Sequence, residues 1–382
     1  LPNRIYLDHA ATTPVHPRVW EAMQPYLTQF FGNPSSIHGF GRDSRKAMEQ
    51  ARERIAGFMG ADPAQLVFTS GGTEADNMAL IGVAMANRER GKHIITSQIE
   101  HHAVLHACEH LEQIGFDVTY LPVDQTGMVH LEQVQEAVRP DTILVSIMYG
   151  NNEVGTIQPI VEIGQFLQER GIYFHTDAVQ AFGVLPIDVA ALPVDLLSVS
   201  AHKINGPKGV GALYMKRNVN FIPYLLGGNQ ERKRRGGTEN VAGIVGFGEA
   251  VKVTQEEMGE RVKKYLQLRQ TMLQVWQEDS IRHQLNGHPE RFLPHILNVS
   301  FPEVDTETML LNLDLVGIAA ASGSACTSGS LELSHVLTAM CLEQPIAESA
   351  VRFSFGITNT LEEVREAAKK TGEIVKRLGR SK

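Results

Sequence analysis

The sequence predicts a doubly wound α/β fold, and three observations lead there. From about residue 64 to 215, short apolar runs alternate with helix-sized intervals, as in a mainly parallel sheet with crossover helices. A glycine-rich turn, Ser70-Gly71-Gly72-Thr73, follows the first of these runs and leads into a helix. After about residue 254 the texture changes to a long amphipathic helix and a few further strands, which predicts a second, smaller α+β unit.

In chain order, the strand-like residues 4–8 could pair with either unit. Strands are expected at 66–69, 93–96, 118–121, 142–147, 172–175, 196–199 and 211–215. Met258, Val262, Leu266, Leu273 and Trp276 fall close to helical spacing with charged residues between them, the signature of a helix joining the two units. Strands follow at 296–301 and 351–355, and a last helix starts at Leu361. The expected division is a large domain over 15–255, with 1–14 and 256–382 forming the small one.

Composition bounds the function. Of 382 residues, 43% are hydrophobic and 20% charged, as in an ordinary soluble protein. A net charge of −8 argues against a general nucleic-acid binder. Apolar stretches such as 143–148 are too short to cross a bilayer, and no apolar leader opens the chain, so neither membrane insertion nor export is expected. Three cysteines, Cys108, Cys326 and Cys341, without a CxxC spacing make a poor disulfide framework and point to a reducing, cytoplasmic setting.

The chemistry sits at the predicted strand ends, where ligands bind in an open parallel sheet. Lys203, in Ser200-Ala201-His202-Lys203, follows one strand, and Asp177, in Thr176-Asp177-Ala178-Val179-Gln180, follows another. A lysine to form a Schiff base and an aspartate to keep a pyridine nitrogen protonated are what pyridoxal phosphate needs. The Ser70 to Thr73 turn offers glycines, a hydroxyl and a helix N-terminus to a phosphate; it is neither a Walker A motif nor GxGxxG. His101 follows a strand, where an imidazole can stack on a ring and exchange protons. His102, His106 and His110 recur every four residues, but no acidic or cysteine ligand is placed to complete a metal site, and no metal is expected.

Four further features complete the set. Asn152, in Tyr149-Gly150-Asn151-Asn152-Glu153, points its turn toward the same crevice. Arg352 is an isolated cation in an apolar strand, suited either to a substrate carboxylate or to a structural salt bridge. Cys326 lies among small and polar residues, Ser322-Gly323-Ser324-Ala325-Cys326-Thr327-Ser328, a context of an exposed, mobile loop thiol, whereas Cys108 and Cys341 read as structural. The basic run Arg232-Lys233-Arg234-Arg235 suits a loop that encloses a phosphate better than a nucleic-acid site.

Taken in order, Tyr6 to Pro14, Gly32-Asn33-Pro34-Ser35-Ser36-Ile37-His38, the Thr73, His101 and Asn152 segments, Ser200 to Lys203, Arg235-Gly236-Gly237-Thr238 and Ser322 to Ser328 resemble the cysteine desulfurases of the NifS/IscS type over essentially the whole chain. The resemblance implies a fold-type-I pyridoxal phosphate enzyme working as a homodimer. It implies Lys203 as Schiff-base lysine, Asp177 on the pyridine nitrogen, Gln180 on the ring hydroxyl and His101 stacked on the ring. Thr73, Ser200 and His202 would hold the phosphate, with Thr238 arriving from the other subunit. Asn152 and Arg352 would bind the substrate carboxylate, and Cys326 would be the nucleophile.

L-cysteine would thus yield L-alanine and a persulfide on Cys326. The chain ends at Arg377-Leu378-Gly379-Arg380-Ser381-Lys382, without the longer tail often found in members that feed iron–sulfur scaffolds. That favours a tRNA 2-thiouridylase as sulfur acceptor, with a scaffold second and no direct nucleic-acid contact. The competing readings are another pyridoxal phosphate enzyme, such as an aminotransferase or selenocysteine lyase, and a non-catalytic sulfur carrier.

Overall fold

A seven-stranded sheet organises the chain. The computed structural model describes residues 4–323 and 333–379. The strands are β1 (Ile5–Tyr6), β2 (Leu66–Thr69), β3 (His93–Ser97), β4 (Asp117–Leu121), β5 (Thr142–Ser146), β6 (Tyr173–Asp177), β7 (Leu196–Ser200), β8 (Gly211–Met215), β9 (Gln284–Asn286), β10 (Ile296–Ser300), β11 (Ile318–Ala319) and β12 (Ala350–Ser354). The large sheet has the order β2-β8-β7-β6-β5-β3-β4. Only β8 runs against its neighbours, pairing antiparallel with both β2 and β7. Its parallel central strands β5, β6 and β7 are almost wholly buried, which explains their continuous apolar runs.

Helix α1 (Pro17–Thr28), α2 (Gly39–Phe58), α3 (Gly72–Asn87) and α4 (His102–Gln113) precede or alternate with the strands. Ala75, Met78, Ala79, Leu80, Val83 and Ala84 of α3 are all buried against the sheet. A three-stranded antiparallel sheet, β12-β10-β9, and the pair β1-β11 lie in the C-terminal part. Ile5 and Leu7 join the core of Trp276, Phe301 and Phe353 there. The N-terminal strand therefore pairs with the C-terminal part, one of the two options left by sequence.

The connecting helix is longer than its periodicity predicts. It runs unbroken from Val241 to Glu278, 38 residues or roughly 57 Å at 1.5 Å per residue. Its first turns, including Ala242, Gly243, Ile244, Phe247 and Val251, are buried by α1 and α2. A helix buried on most sides shows no amphipathic stripe, so the polar–apolar alternation that marks it begins only past Val253. No helix among the described residues is long and apolar enough to cross a membrane.

Two residues of the basic run, Arg234 and Arg235, fold inward. Glu231, Arg232 and Lys233 have φ of 43°, 57° and 66°, left-handed values that cost roughly 1 kcal/mol or more each for side-chain-bearing residues. The conformation is held by Glu231, whose carboxylate accepts from Arg52 Nη2 at 2.6 Å, Arg52 Nη1 at 2.9 Å and the Phe68 amide at 2.9 Å. Arg52 and Glu231 are both buried. Removing one member strands the other charge in the interior, at a cost of about 3–5 kcal/mol. Glu231→Ala is therefore expected to lower the thermal midpoint by several degrees, while Arg217→Ala, at an exposed ion pair with Asp62, barely moves it. Equal midpoints for the two variants in a thermal melt would refute the anchoring role.

Candidate active site

The strand ends of β6 and β7 deliver Asp177 and Lys203 to one cavity of about 440 Å³. Asp177 is the last residue of β6, and Lys203 closes a single 3-10 turn, Ala201–Lys203, directly after β7. Lys203 Nζ donates to the Ala11 carbonyl at 2.9 Å and to that of Ala10. Gln180 Nε2 also donates to Ala10 O, at 2.9 Å, and its Oε1 lies 3.1 Å from His295 Nε2. The N-terminal residues thus pass through the site itself.

Thr73, His101, Asn152, Ser200, His202 and Arg352 line the same cavity. His101 caps α4, its Nδ1 accepting from the Ala103 amide at 3.1 Å, which aims the ring. His202 Nδ1 lies 3.2 Å from Thr12 Oγ1. Thr73 sits in the first turn of α3, where backbone N–H groups lack helical partners. Thr238 does not share this cavity; it lines a smaller one of about 140 Å³ with Ser70, Arg235 and Glu239. Cys326 lies outside the described residues, but Gly323 lines the rim of the Lys203 cavity.

The site is electrostatically poised. Burial raises the Asp177 carboxyl to about 6, offset in part by the Val179 amide at 2.8 Å and the Lys203 charge. Burial lowers His101 and His202 each to about 4, and the positive charge of Lys203 is the next cause for both. Below Asp177 lies a polar layer that sequence did not single out. His175 is fully buried between Ser146 Oγ at 2.8 Å and Ser198 Oγ at 2.9 Å. Asp76 Oδ1 stands 3.6 Å from His175 Nε2, and burial together with Asp177 pushes its carboxyl well above the usual range.

Arg352 makes a salt bridge, as one of its two sequence readings expects. Nη2 pairs with Asp8 Oδ1 at 2.9 Å and Nη1 donates to the Asn152 carbonyl at 2.9 Å, yet Nε is buried without a partner while the side chain borders the cavity. Cys108 is wholly buried in the α4 core, and its thiol is pushed far up by that burial. Cys341 departs from the structural reading. It is exposed at φ 52°, two residues beyond helix His335–Ala339. His102 and His106 stack with centroids 5.1 Å apart, and His335 lies 4.7 Å from His102.

Arg235, the last residue of the basic run, braces the Ser70 to Thr73 turn through Glu74. Arg235 Nε donates to Glu74 Oε1 at 2.8 Å, and Glu74 Oε2 accepts from the Ser70 amide at 2.7 Å. Arg234 Nη1 donates to the Ala64 carbonyl at 2.9 Å.

Pyridoxal phosphate fits this donor set. Ser200 Oγ is buried with no partner among the described residues, beside the N-terminus of α3, and asks for an acceptor such as a phosphate oxygen. A Cβ on Gly72 would come within 2.7 Å of Val179 Cγ2, so the turn must stay bare to hold its place. Asp177, a buried carboxylate facing the cavity, suits a protonated ring nitrogen. Thr73, Ser200 and His202 would hold the phosphate end, Asp177 and Gln180 the ring, and Lys203 the aldehyde carbon.

Residues 5–366 match the family model for aminotransferase class-V. The chain is 57% identical over 377 residues to "Putative cysteine desulfurase IscS 1" of Bacillus subtilis (strain 168), covering 98% of this chain and 100% of the relative. Cysteine desulfurase IscS of Methanosarcina thermophila is 52% identical over 374 residues, covering 98% and 92%. Among solved structures, a NifS-like protein superposes with a TM-score of 0.93 at 40% identity, covering 98% of this chain and all of that one. SspA, solved in complex with cysteine, gives 0.82 at 39% identity, covering 92% and 99%.

Proposed function

We propose a residue-level route for sulfur through this chain, which belongs to the aminotransferase class-V family and is a pyridoxal phosphate-dependent cysteine desulfurase of the NifS/IscS type. The observation that carries the route is the meeting of Lys203, Asp177, Arg352 and the Gly323 rim at one cavity. The bound cofactor supplies an electron sink conjugated to the substrate amine. Arg352 and Asn152 hold the substrate carboxylate, the cation offering its unpartnered Nε. Lys203 takes the Cα proton at Nζ, and Asp177 keeps the ring nitrogen charged. His101, held neutral by burial, stacks and relays protons.

Cys326 receives the sulfur. It is three residues along the chain from Gly323, which lines the cavity. Its thiolate attacks the substrate sulfur; an S–S bond forms, the C–S bond breaks, and the substrate carbon takes a proton to become L-alanine. Thiol plus cysteine gives persulfide plus alanine, with no external oxidant. Exposed Phe31, Ile37, Phe40 and Leu226 supply an apolar surface suited to a homodimer, which would bring Thr238 of the partner subunit to the phosphate.

The persulfide passes to a protein acceptor in the reducing cytoplasm, a tRNA 2-thiouridylase ahead of an iron–sulfur scaffold. In support, Arg234 and Arg235 are tied inward, whereas Arg232 and Lys233 stay exposed and can face a partner that carries a polyanion. A competition assay with 35S-labelled cysteine and both acceptors together tests this. Most label is expected on the thiouridylase; preferential labelling of the scaffold would reverse the order.

A further inference from the structure

The turn that carries Asn152 also carries Glu153, a carboxylate that the route above does not use. Glu153 is buried yet borders the cavity. Its backbone is rigidly placed. Asn151 Oδ1 accepts from the amides of Glu153 at 2.8 Å and Val154 at 2.9 Å, and Asn298 Nδ2 donates to the Glu153 carbonyl at 3.1 Å. From this fixed base the side chain meets Gly323, directly before 324–332, and Ser334, two residues after it. Ser334 Oγ donates to Glu153 Oε2 at 2.5 Å. Gly323, at φ +93°, lies so close that a Cβ there would stand 2.5 Å from the same oxygen. Ala321, two residues earlier, exchanges backbone hydrogen bonds with Arg352: Arg352 N to Ala321 O at 2.7 Å, and Ala321 N to Arg352 O at 3.1 Å.

We propose that Glu153 is a positioning residue that ties both ends of the Cys326-bearing segment to the substrate-carboxylate site. One end is bonded through Ala321 to Arg352 and packed through Gly323 on Glu153; the other is bonded through Ser334 to Glu153; and Arg352 in turn holds the Asn152 carbonyl. The four contacts fix where the chain leaves and re-enters the pocket wall relative to the bound substrate. This shortens the search of the thiol for the substrate sulfur without contributing to substrate binding. Burial raises the Glu153 carboxyl above its ordinary range, and a glutamine of the same shape keeps an oxygen that can accept from Ser334 Oγ. The inference rests on the reading that Cys326 receives the sulfur.

The test uses the holoenzyme and the variants Glu153→Ala, Glu153→Gln and Ser334→Ala. Sulfur arrival on Cys326 in a single turnover is read by mass, kcat and KM for cysteine by alanine production, and tethering by hydrogen exchange at residues 320–323 and 333–337. Glu153→Ala is expected to slow sulfur arrival and kcat by about tenfold to a hundredfold, with KM and cofactor content unchanged and exchange faster at both ends. Glu153→Gln, which can still accept from Ser334, should stay near the parent enzyme. Ser334→Ala, a milder change, should move both readouts in the same direction as Glu153→Ala. Parent-like kcat and exchange in Glu153→Ala would overturn the proposal, as would a loss of cofactor or a risen KM that accounts for the slower turnover, or a Gln variant as slow as Ala. Cys326→Ser separates the two readings: normal sulfide release from it sinks the sulfur route while exchange still tests the tether. If that variant is inactive and Glu153→Ala is not, only the tether fails.

Discussion

Lys203→Ala yields a folded protein whose desulfurase turnover is lower by about a thousandfold or more, within the range a positioned proton-transfer group supplies and with the covalent cofactor link gone as well. The fold tolerates the change because the ammonium donates to backbone carbonyls, those of Ala10 and Ala11, at the cavity wall. Ala10 O keeps its bond from Gln180 Nε2 after the lysine is removed. The parent protein is expected to be yellow, and borohydride reduction followed by peptide mapping should place the cofactor on Lys203. Lys208 is the control: it is exposed and does not border the cavity. Labelling at Lys208 would overturn the assignment. A second readout needs no cofactor. The positive charge of Lys203 helps to hold His101 and His202 down near 4, so both imidazoles should titrate at higher pH in the apo-variant, by NMR. Unmoved titrations would place the lysine elsewhere.

What sequence revealed of this site follows from how local each signal is. A strand end announces itself in a handful of residues, so β6 and β7 and the side chains just past them were legible, as was the glycine turn before α3. The expected strands 172–175 and 142–147 differ from β6 and β5 only at their ends. Contacts between distant segments leave no such trace. Arg352 meets Asp8 344 residues away, and Lys203 meets Ala10 and Ala11 across more than 190. The buried layer of Asp76, His175 and Ser198 was invisible for the same reason, since each sits alone among ordinary strand or helix neighbours. The exposure of Cys341 was missed because its helix stops at Ala339, after five residues. Glu153 was in view within its motif, but its bond to Ser334 spans 181 residues.

Cys326→Ser should keep the cofactor spectrum and the spectral response to L-cysteine, yet release almost no sulfide or alanine, a loss on the order of a thousandfold. A hydroxyl stays protonated near neutral pH and attacks sulfur poorly, whereas a thiol can ionise. Neither of the other cysteines borders the Lys203 cavity. Cys108 is wholly buried on the inner face of α4, with its thiol pushed far up by burial. Cys341 is exposed, but it lines a separate groove with Pro122, Val123 and Thr338. Parent sulfide release also needs two reducing equivalents per persulfide, which free cysteine can supply, so with cysteine limited to about one per site and no other thiol the parent should make about one alanine per site. The serine variant should not reach even that burst. This separates the desulfurase route from an aminotransferase or lyase route, in which the cofactor pocket alone suffices and the burst would persist. Near-normal burst alanine from Cys326→Ser would sink the assignment, and adding Cys341→Ser to the same chain would then show whether the exposed thiol had taken over.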